Sequence, residues 1–291
     1  MADAGVRTED GTEEEKENRV PSGLESGGEG EGEGEGGGEG GTLLDDERQV
    51  TSPLAVWVQK HLYRSRSDPS WALLSSAAGI SGEATWGAIR SLLSVASDYE
   101  EFRGESAPQV RAVDIGCGRG NVVCAWIACL AEQKDVRAHV WGLDADSTSL
   151  SFARRWDEKL TSQMVEYGLH DRLWSEIDEE PCCVDETSTP PEVWERLRAQ
   201  THLYIFNKGM PPTVLRALAR HVFMHPESVW HRLYLWHGAG VQRQLEDPDD
   251  ASIAEFWSTR VVLDRVQRAN LRGSGEGYSM RVWKRRCERD E

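Results

Sequence analysis

Residues 110–121 read Val-Arg-Ala-Val-Asp-Ile-Gly-Cys-Gly-Arg-Gly-Asn. A short apolar run meets an acid, then glycine at every second position. Gly116, Gly118 and Gly120 admit positive φ and put no Cβ in the way of a ligand pressed against the backbone. The apolar residues from Val122 to Leu130 predict a helix whose free N–H groups point into the same space. Asp114, at the strand end, can accept a hydrogen bond or face a cation. The combination suits a nucleoside-like ligand that carries positive charge. S-adenosylmethionine has that chemistry.

Four further groups bear on the same ligand. Trp141-Gly-Leu-Asp144 closes a second predicted strand, 24 residues beyond Gly120. A carboxylate at such a tip can accept both ribose hydroxyls. Asp146 or Ser147 is better placed to cap the next helix, which leaves Asp144 for that role. Asp185 follows Cys182-Cys183-Val184 and either accepts from an adenine amino group or caps the turn before Thr189-Pro190-Pro191. Phe206-Asn207-Lys208-Gly209-Met210-Pro211-Pro212 follows a fourth strand, where Asn207 can orient an amine nucleophile and the prolines stiffen the loop. Ahead of the first strand, Glu83 and Thr85 can close over a methionine moiety, and Thr85 is also a plausible N-cap. The glycine spacing is G-x-G-x-G. The dinucleotide fingerprint G-x-G-x-x-G would need a third glycine at position 121, which is Asn121.

The elements that must hold these residues alternate in type. Strands are predicted at 109–115, 137–143, 202–206 and 229–236, with a short one inside 172–185. Helices are predicted at 121–132, 147–167 (ending at Gly168), 192–198 and 212–221. Repeated β-α units imply a parallel sheet with helices on both faces. Val261–Arg268 and Tyr278–Trp283 read as two strands joined across Gly273–Gly277, hence as an antiparallel hairpin. Earlier, Ser52-Pro53 reads as an N-cap with proline at the first helical position. A helix is predicted over Leu54–Tyr63, a short one over Ser70–Ala78 and a third over Thr85–Ala96. These three would cap the ligand site.

Composition divides the chain. Residues 1–50 hold sixteen acids against four bases and 13 of the 28 glycines, and Gly27–Gly41 is only Gly and Glu. Such a segment has little to bury and is expected to be disordered. The formal net charge of −17 is therefore mostly that of a tail, which either attracts a basic partner or simply solubilises the chain. The domain reading is 1–50 acidic tail, 51–108 helical cap and 109–286 ligand-binding domain. No run of 18 apolar residues predicts a membrane span, and no apolar segment opens the chain. The six cysteines lack metal-ligand spacing, so no metal is expected, and a reducing compartment is the simplest reading.

A parallel sheet ending on an antiparallel hairpin resembles the Rossmann-like class I methyltransferase fold, with seven strands. Within it the motifs resemble the non-SET histone-lysine methyltransferases of the disruptor-of-telomeric-silencing family, over roughly residues 81–240. Gly82-Glu83-Ala84-Thr85 looks like that family's Gly-Glu-Thr segment. Asp114–Asn121 looks like its D-x-G-x-G-x-G-Q loop, with Asn for Gln. Asp144 takes the place of its strand-two Glu, Val184-Asp185-Glu186 that of its Gly-Asp-Phe, and Asn207–Pro212 that of its Asn-Phe-Ala-Phe-Gly-Pro loop. Lys208 and Met210 stand where the family has channel aromatics, and Glu186 where it has the aromatic that packs on adenine. The resemblance implies S-adenosyl-L-methionine as cofactor, held by Glu83, Thr85, Asp114, Gly116, Gly118, Asn121, Asp144 and Asp185. It implies Asn207 at the methyl acceptor, with Tyr204, Trp86 and Trp236 as candidate channel walls and Tyr204 as the second candidate catalytic residue. A histone or nucleosome as partner and a nuclear location follow from the resemblance, with the cytoplasm as alternative. A methyltransferase for RNA or a small molecule, or a non-catalytic subunit of the same fold, remains open beside it. Arg281–Arg286 is the one dense basic cluster, which weighs against RNA.

Overall fold

A computed structural model describes residues 52–64, 75–76, 79–80, 84–206, 210–237, 251–270 and 277–286. Glu83 and Asn207, with Gly82, Lys208 and Gly209, lie outside the described residues, as does the whole 1–50 segment.

Seven strands form one sheet: β1 (Val110–Ile115), β2 (Ala138–Leu143), β3 (Leu173–Ile177), β4 (His202–Ile205), β5 (Arg232–His237), β6 (Val261–Asn270) and β7 (Gly277–Arg285). Their order is β3-β2-β1-β4-β5-β7-β6. The first five are parallel, and β7 runs antiparallel between β5 and β6. The strand order reverses between β1 and β4. This is the Rossmann-like, class I methyltransferase arrangement expected of the sequence.

The helices are α1 (Pro53–Val58), α2 (Trp86–Leu93), α3 (Asn121–Ala131), α4 (Ser147–Glu166), α5 (Pro191–Arg198), α6 (Pro212–Leu218) and α7 (Ala251–Arg260). Two apolar clusters lie on opposite faces of the sheet. One joins Ala112 and Val140 to Leu54, Ile89, Trp126 and Leu160, from α1 to α4. The other joins Val113, Ile115 and Trp141 to Trp194, Leu215 and Trp257, from α5 to α7. The alternation of side chains along β1 therefore feeds both cores. That is why the central strands read as unbroken apolar runs.

The N-terminal helices pack on α3, as a cap on that face of the sheet. Ser52 is the N-cap of α1 and Pro53 its first residue, as expected, although the Ser52 side chain makes no capping hydrogen bond. One expectation there needs correction. Within the span expected to be the second helix, Ser75–Ser76 instead pairs antiparallel with Gly79–Ile80. Two elements were not expected: α7, and a 3-10 helix over Ala96–Phe102. Helix α1 also continues as a π-helix, Gln59–Arg64.

Candidate functional site

The reversal of strand order opens a crevice at the carboxyl ends of β1 and β4, where ligands of open α/β sheets bind. The glycine loop occupies it. Gly116, Gly118 and Gly120 all take positive φ, at 79°, 54° and 77°. Gly116 and Cys117 donate their N–H groups to the Leu143 carbonyl at 2.9 and 3.0 Å, which pins the loop to the end of β2. A Cβ on Gly120 would lie 3.1 Å from Ala153 Cβ, so this glycine also sets the approach of α4. Gly120 is the N-cap of α3, and no side chain caps that helix. Its amino end faces the crevice with the positive end of its dipole.

Asp114 is the distinctive group. It is 1% exposed. Neither carboxylate oxygen has a hydrogen-bond partner among the described residues. Burial pushes its carboxyl well above the ordinary carboxylate range, and the charge of Asp144 adds to the shift. It lies on β1 in register with Tyr204 of β4, which is in register with Tyr234 of β5. All three face the α3 side of the sheet.

Asp144 is tied to the loop. Its Oδ2 accepts the Gly118 N–H at 2.7 Å and its Oδ1 the Asp146 N–H at 2.8 Å. Burial raises its pKa, opposed by these backbone hydrogen bonds. The Ala145 backbone also bonds this carboxylate, so most of its four lone-pair sites are used within the chain. Asp146 caps α4 through Thr148 and Ser149, as the sequence suggested. The pair of acids thus divides the work, with Asp146 on the helix and Asp144 on the glycine loop.

The other expected residues separate. Asp185 turns both oxygens onto its own loop: Oδ1 accepts Thr187 N–H and Ser188 N–H at 2.7 Å each, and Oδ2 accepts the Ser188 hydroxyl. Those hydrogen bonds depress its pKa. Of the two roles open to it, this geometry is the turn cap. Thr85 is the N-cap of α2, accepting Ala88 N–H at 3.3 Å. The Asn121 carbonyl accepts the Tyr63 hydroxyl at 3.1 Å, so the cap is latched to the glycine loop. Tyr204 lies inside the core, 1% exposed, with its hydroxyl accepting Trp236 Nε1–H. Burial holds that phenol well above its usual range. Trp86 and Trp236 are both buried, with Trp86 against Tyr63 and Trp236 against Phe206.

Met210, already marked by the 207–212 loop, and two residues that were not singled out also belong to this region. Met210 reaches Gly116: a Cβ there would meet Met210 Cε at 2.5 Å. Asp178, just past β3, accepts Trp141 Nε1–H at 2.7 Å and pairs with Arg196. Cys182 donates its N–H to the Asp144 carbonyl at 2.8 Å, which lays the 182–185 segment beside β2. Only the position of Asp178 directly after a strand could have marked it in advance. No group of three or more His, Cys, Asp or Glu that could hold a metal occurs among the described residues.

No family model and no curated protein matches the chain. Several solved structures resemble it in part. A protein assigned as a class I S-adenosylmethionine-dependent methyltransferase from Listeria monocytogenes is 13% identical, with 69% of this chain and 60% of that chain covered and a TM-score of 0.41. Precorrin-6y C5,15-methyltransferase from Geobacter metallireducens is 13% identical, with 67% and 86% covered and a TM-score of 0.37. A type I restriction-modification methyltransferase subunit from Streptococcus thermophilus is 12% identical, with 73% and 47% covered and a TM-score of 0.43. This chain therefore spans less than two thirds of the first and third of them.

Proposed function

We propose that this chain is an S-adenosylmethionine-dependent methyltransferase that acts on a protein lysine, with a histone as the candidate acceptor. The observation that carries the cofactor reading is Asp114: a buried carboxyl with no partner among the described residues, next to three positive-φ glycines at the switch point of the sheet. A folded chain does not normally leave such a group unmatched. A cationic ligand supplies the missing partner, and the glycine cradle and Asp144 suit its nucleoside part. The acceptor reading rests on the resemblance of the 207–212 loop alone.

S-adenosylmethionine, when bound, would supply an electrophilic methyl carbon whose leaving group is a neutral thioether. Asp114 offsets positive charge next to the loop. Asp144 holds Gly118 in place and offers its remaining acceptor capacity to a hydroxyl. Gly118 leaves open space for close approach, whereas Met210 already lies against Gly116 and Ala153 against Gly120. The aromatic pair of partly buried Phe206 and buried Trp236 shields the space beside β4 and β5 from water. Methyl transfer of this kind depends on alignment and dryness more than on acid–base groups. A lysine acceptor must lose its proton first, and an apolar channel lowers its pKa by desolvation.

Met210 against Gly116 favours a second reading, a binding subunit of the same fold, because its side chain lies on the cradle itself. Calorimetry with S-adenosylmethionine tests the cofactor. Transfer of radiolabelled methyl groups to nucleosomes, free histones, total RNA and small amines tests the acceptor. Binding without transfer to any of them would leave the second reading standing.

A further inference from the structure

The parallel strands β1, β4 and β5 have a second end. The crevice lies at the carboxyl ends, whereas Gln109, Thr201 and His231 stand just before the first residues of these strands. A cavity of about 350 Å³ opens there. The length of β1, roughly 17 Å at about 3.3 Å per residue, separates it from the glycine loop. Phe102, Pro108 and Val229 give it apolar walls. Gln109, Arg111, Thr201 and His231 supply its polar groups.

The frame of the cavity is fixed by hydrogen bonds. The Thr201 N–H donates to the Arg111 carbonyl at 2.7 Å, and the His231 N–H to the Thr201 carbonyl at 2.7 Å. The Thr201 hydroxyl accepts the Arg111 N–H at 3.0 Å and donates to the Arg111 carbonyl at 2.9 Å, so it is used within the fold. The Phe102 ring lies edge-on to His202 and His231, with centroids 5.3 and 5.5 Å apart. These contacts preform the cavity, as is usual for ligand pockets.

Two donors on this frame are left over. Gln109 Nε2 is buried and has no hydrogen-bond partner among the described residues. The Arg111 guanidinium makes no hydrogen bond or ion pair with any of them, since the bonds of this residue are those of its backbone. The surrounding charge is positive as well. Burial lowers the pKa of His231, Glu101 opposes that shift, and Arg232, Arg285 and Lys284 push it further down. Glu101 is engaged by His231 Nδ1 at 3.4 Å, and Arg232 by Asp98 at 3.1 Å. Arg285, Lys284 and Arg111 therefore set the sign of the field. A buried amide donor without an acceptor, beside a guanidinium in such a field, calls for an anion.

We propose that this cavity is a second ligand site, which binds a small carboxylic acid in its ionised form. The Arg111 guanidinium and the Gln109 amide donate to the two carboxylate oxygens. The hydrocarbon body lies between Phe102, Pro108 and Val229, and those walls favour a carboxylate on an apolar body over a bare inorganic anion. The site stands at the far end of the sheet from the crevice and rests on no reading of the cofactor.

The test is a nuclear magnetic resonance titration of the full chain, without S-adenosylmethionine, using benzoate, hexanoate, benzamide and inorganic phosphate as probes. Benzoate and hexanoate should bind saturably and shift the Val229 methyl and Gln109 side-chain amide signals. Benzamide keeps the ring without the charge, and phosphate keeps the charge without the ring. Each should bind about tenfold more weakly than benzoate. Arg111→Met should weaken benzoate binding about tenfold at an unchanged thermal melt, because the Arg111 side chain is exposed. Val229→Glu sets an acid on a wall that is 41% exposed, and serves as the second variant with the same expected loss. No shift of either signal at high millimolar benzoate overturns the proposal. So does benzamide or phosphate binding as tightly as benzoate, or a folded Arg111→Met or Val229→Glu variant that binds benzoate as the parent does.

Discussion

Replacing Asp114 by Asn separates a ligand group from a structural one. The carboxyl is buried and has no partner among the described residues, so the amide takes its place without breaking any hydrogen bond seen there. If Asp114 faces a cationic ligand, the substitution removes a charged hydrogen bond worth about 1.5–3 kcal/mol, a roughly ten- to hundredfold loss of affinity. Stability should move the other way. The folded-state pKa is raised above the unfolded value, so the folded protein binds more protons than the unfolded chain once pH exceeds the ordinary value of 3.8. Stability therefore falls as pH rises from there toward the raised pKa. The Asn variant lacks this slope, so it should match the parent at low pH and exceed it at neutral pH. Binding of a cation to the parent should tighten with pH across the same window. Calorimetry with S-adenosylmethionine and urea unfolding, each at several pH values, give both readouts. An Asn variant that binds as tightly as the parent would refute the ligand role. One that unfolds more easily at neutral pH would show that the carboxylate is structural.

Other outcomes follow from the same contacts. Asp144→Ala frees the Gly118 and Asp146 N–H groups, and should cost about 1–3 kcal/mol in chemical unfolding as well as weaken cofactor binding. Gly118→Ala meets no atom within 4 Å but sits at φ +54°, so calorimetric stability should fall by about 1–2 kcal/mol from backbone strain alone. Asp98→Asn breaks the ties to Arg232, Arg265 and Tyr234 and should cost about 3–5 kcal/mol in urea unfolding. The folded-state pKa of Asp98 is depressed, so its contribution is fully present above the ordinary value of 3.8 and is lost as pH falls through the folded value. Urea midpoints measured from pH 6 downward should show that loss in the parent and not in the Asn variant. Tyr204→Phe leaves the buried Trp236 N–H without its acceptor and should lower the thermal midpoint, whereas a catalytic phenol would show an activity loss at unchanged stability.

The parts of the site that could be read from sequence are those where one residue type is forced. Positive φ at 116, 118 and 120 demands glycine, so the loop announces itself. An acid ending an apolar strand is equally plain at Asp114 and Asp144. The C-terminal hairpin was legible because short glycine-rich linkers admit few geometries. Asp185 was ambiguous because a short carboxylate beside Thr187 and Ser188 satisfies itself locally as readily as it meets a ligand. Helix α7 was missed because only Ile253 and Trp257 are buried in it, too little periodicity to register. The segment 96–102 was missed for a related reason. Its Ser-Asp-Tyr-Glu-Glu run reads as a polar connection, yet Asp98, Tyr99 and Phe102 are all buried by partners far along the chain. Such partners are set by tertiary packing and leave no local trace.

Asp98 and Asp114 make the sharpest comparison within the molecule. Both are acids buried on the same face of the sheet, each beside a tyrosine row that runs through Tyr234. Asp98 receives Arg232 Nε at 3.1 Å, Arg265 through both terminal nitrogens at 3.0 and 2.6 Å, and the Tyr234 hydroxyl at 2.8 Å. Its pKa is lowered in spite of burial, which is the mark of a charge that the fold has fully matched. The chain thus carries the means to neutralise a buried carboxylate and uses two arginines from the C-terminal strands to do so. At Asp114 no described residue supplies a partner, and the charge on Asp144 makes matters worse. Desolvation without a partner costs several kcal/mol for an ion, so in the free protein the group is driven toward its neutral form. The cost is recovered when a cation arrives. On the proposed reading, a positively charged ligand completes this part of the core, and its affinity is tied to an acid that no described residue matches.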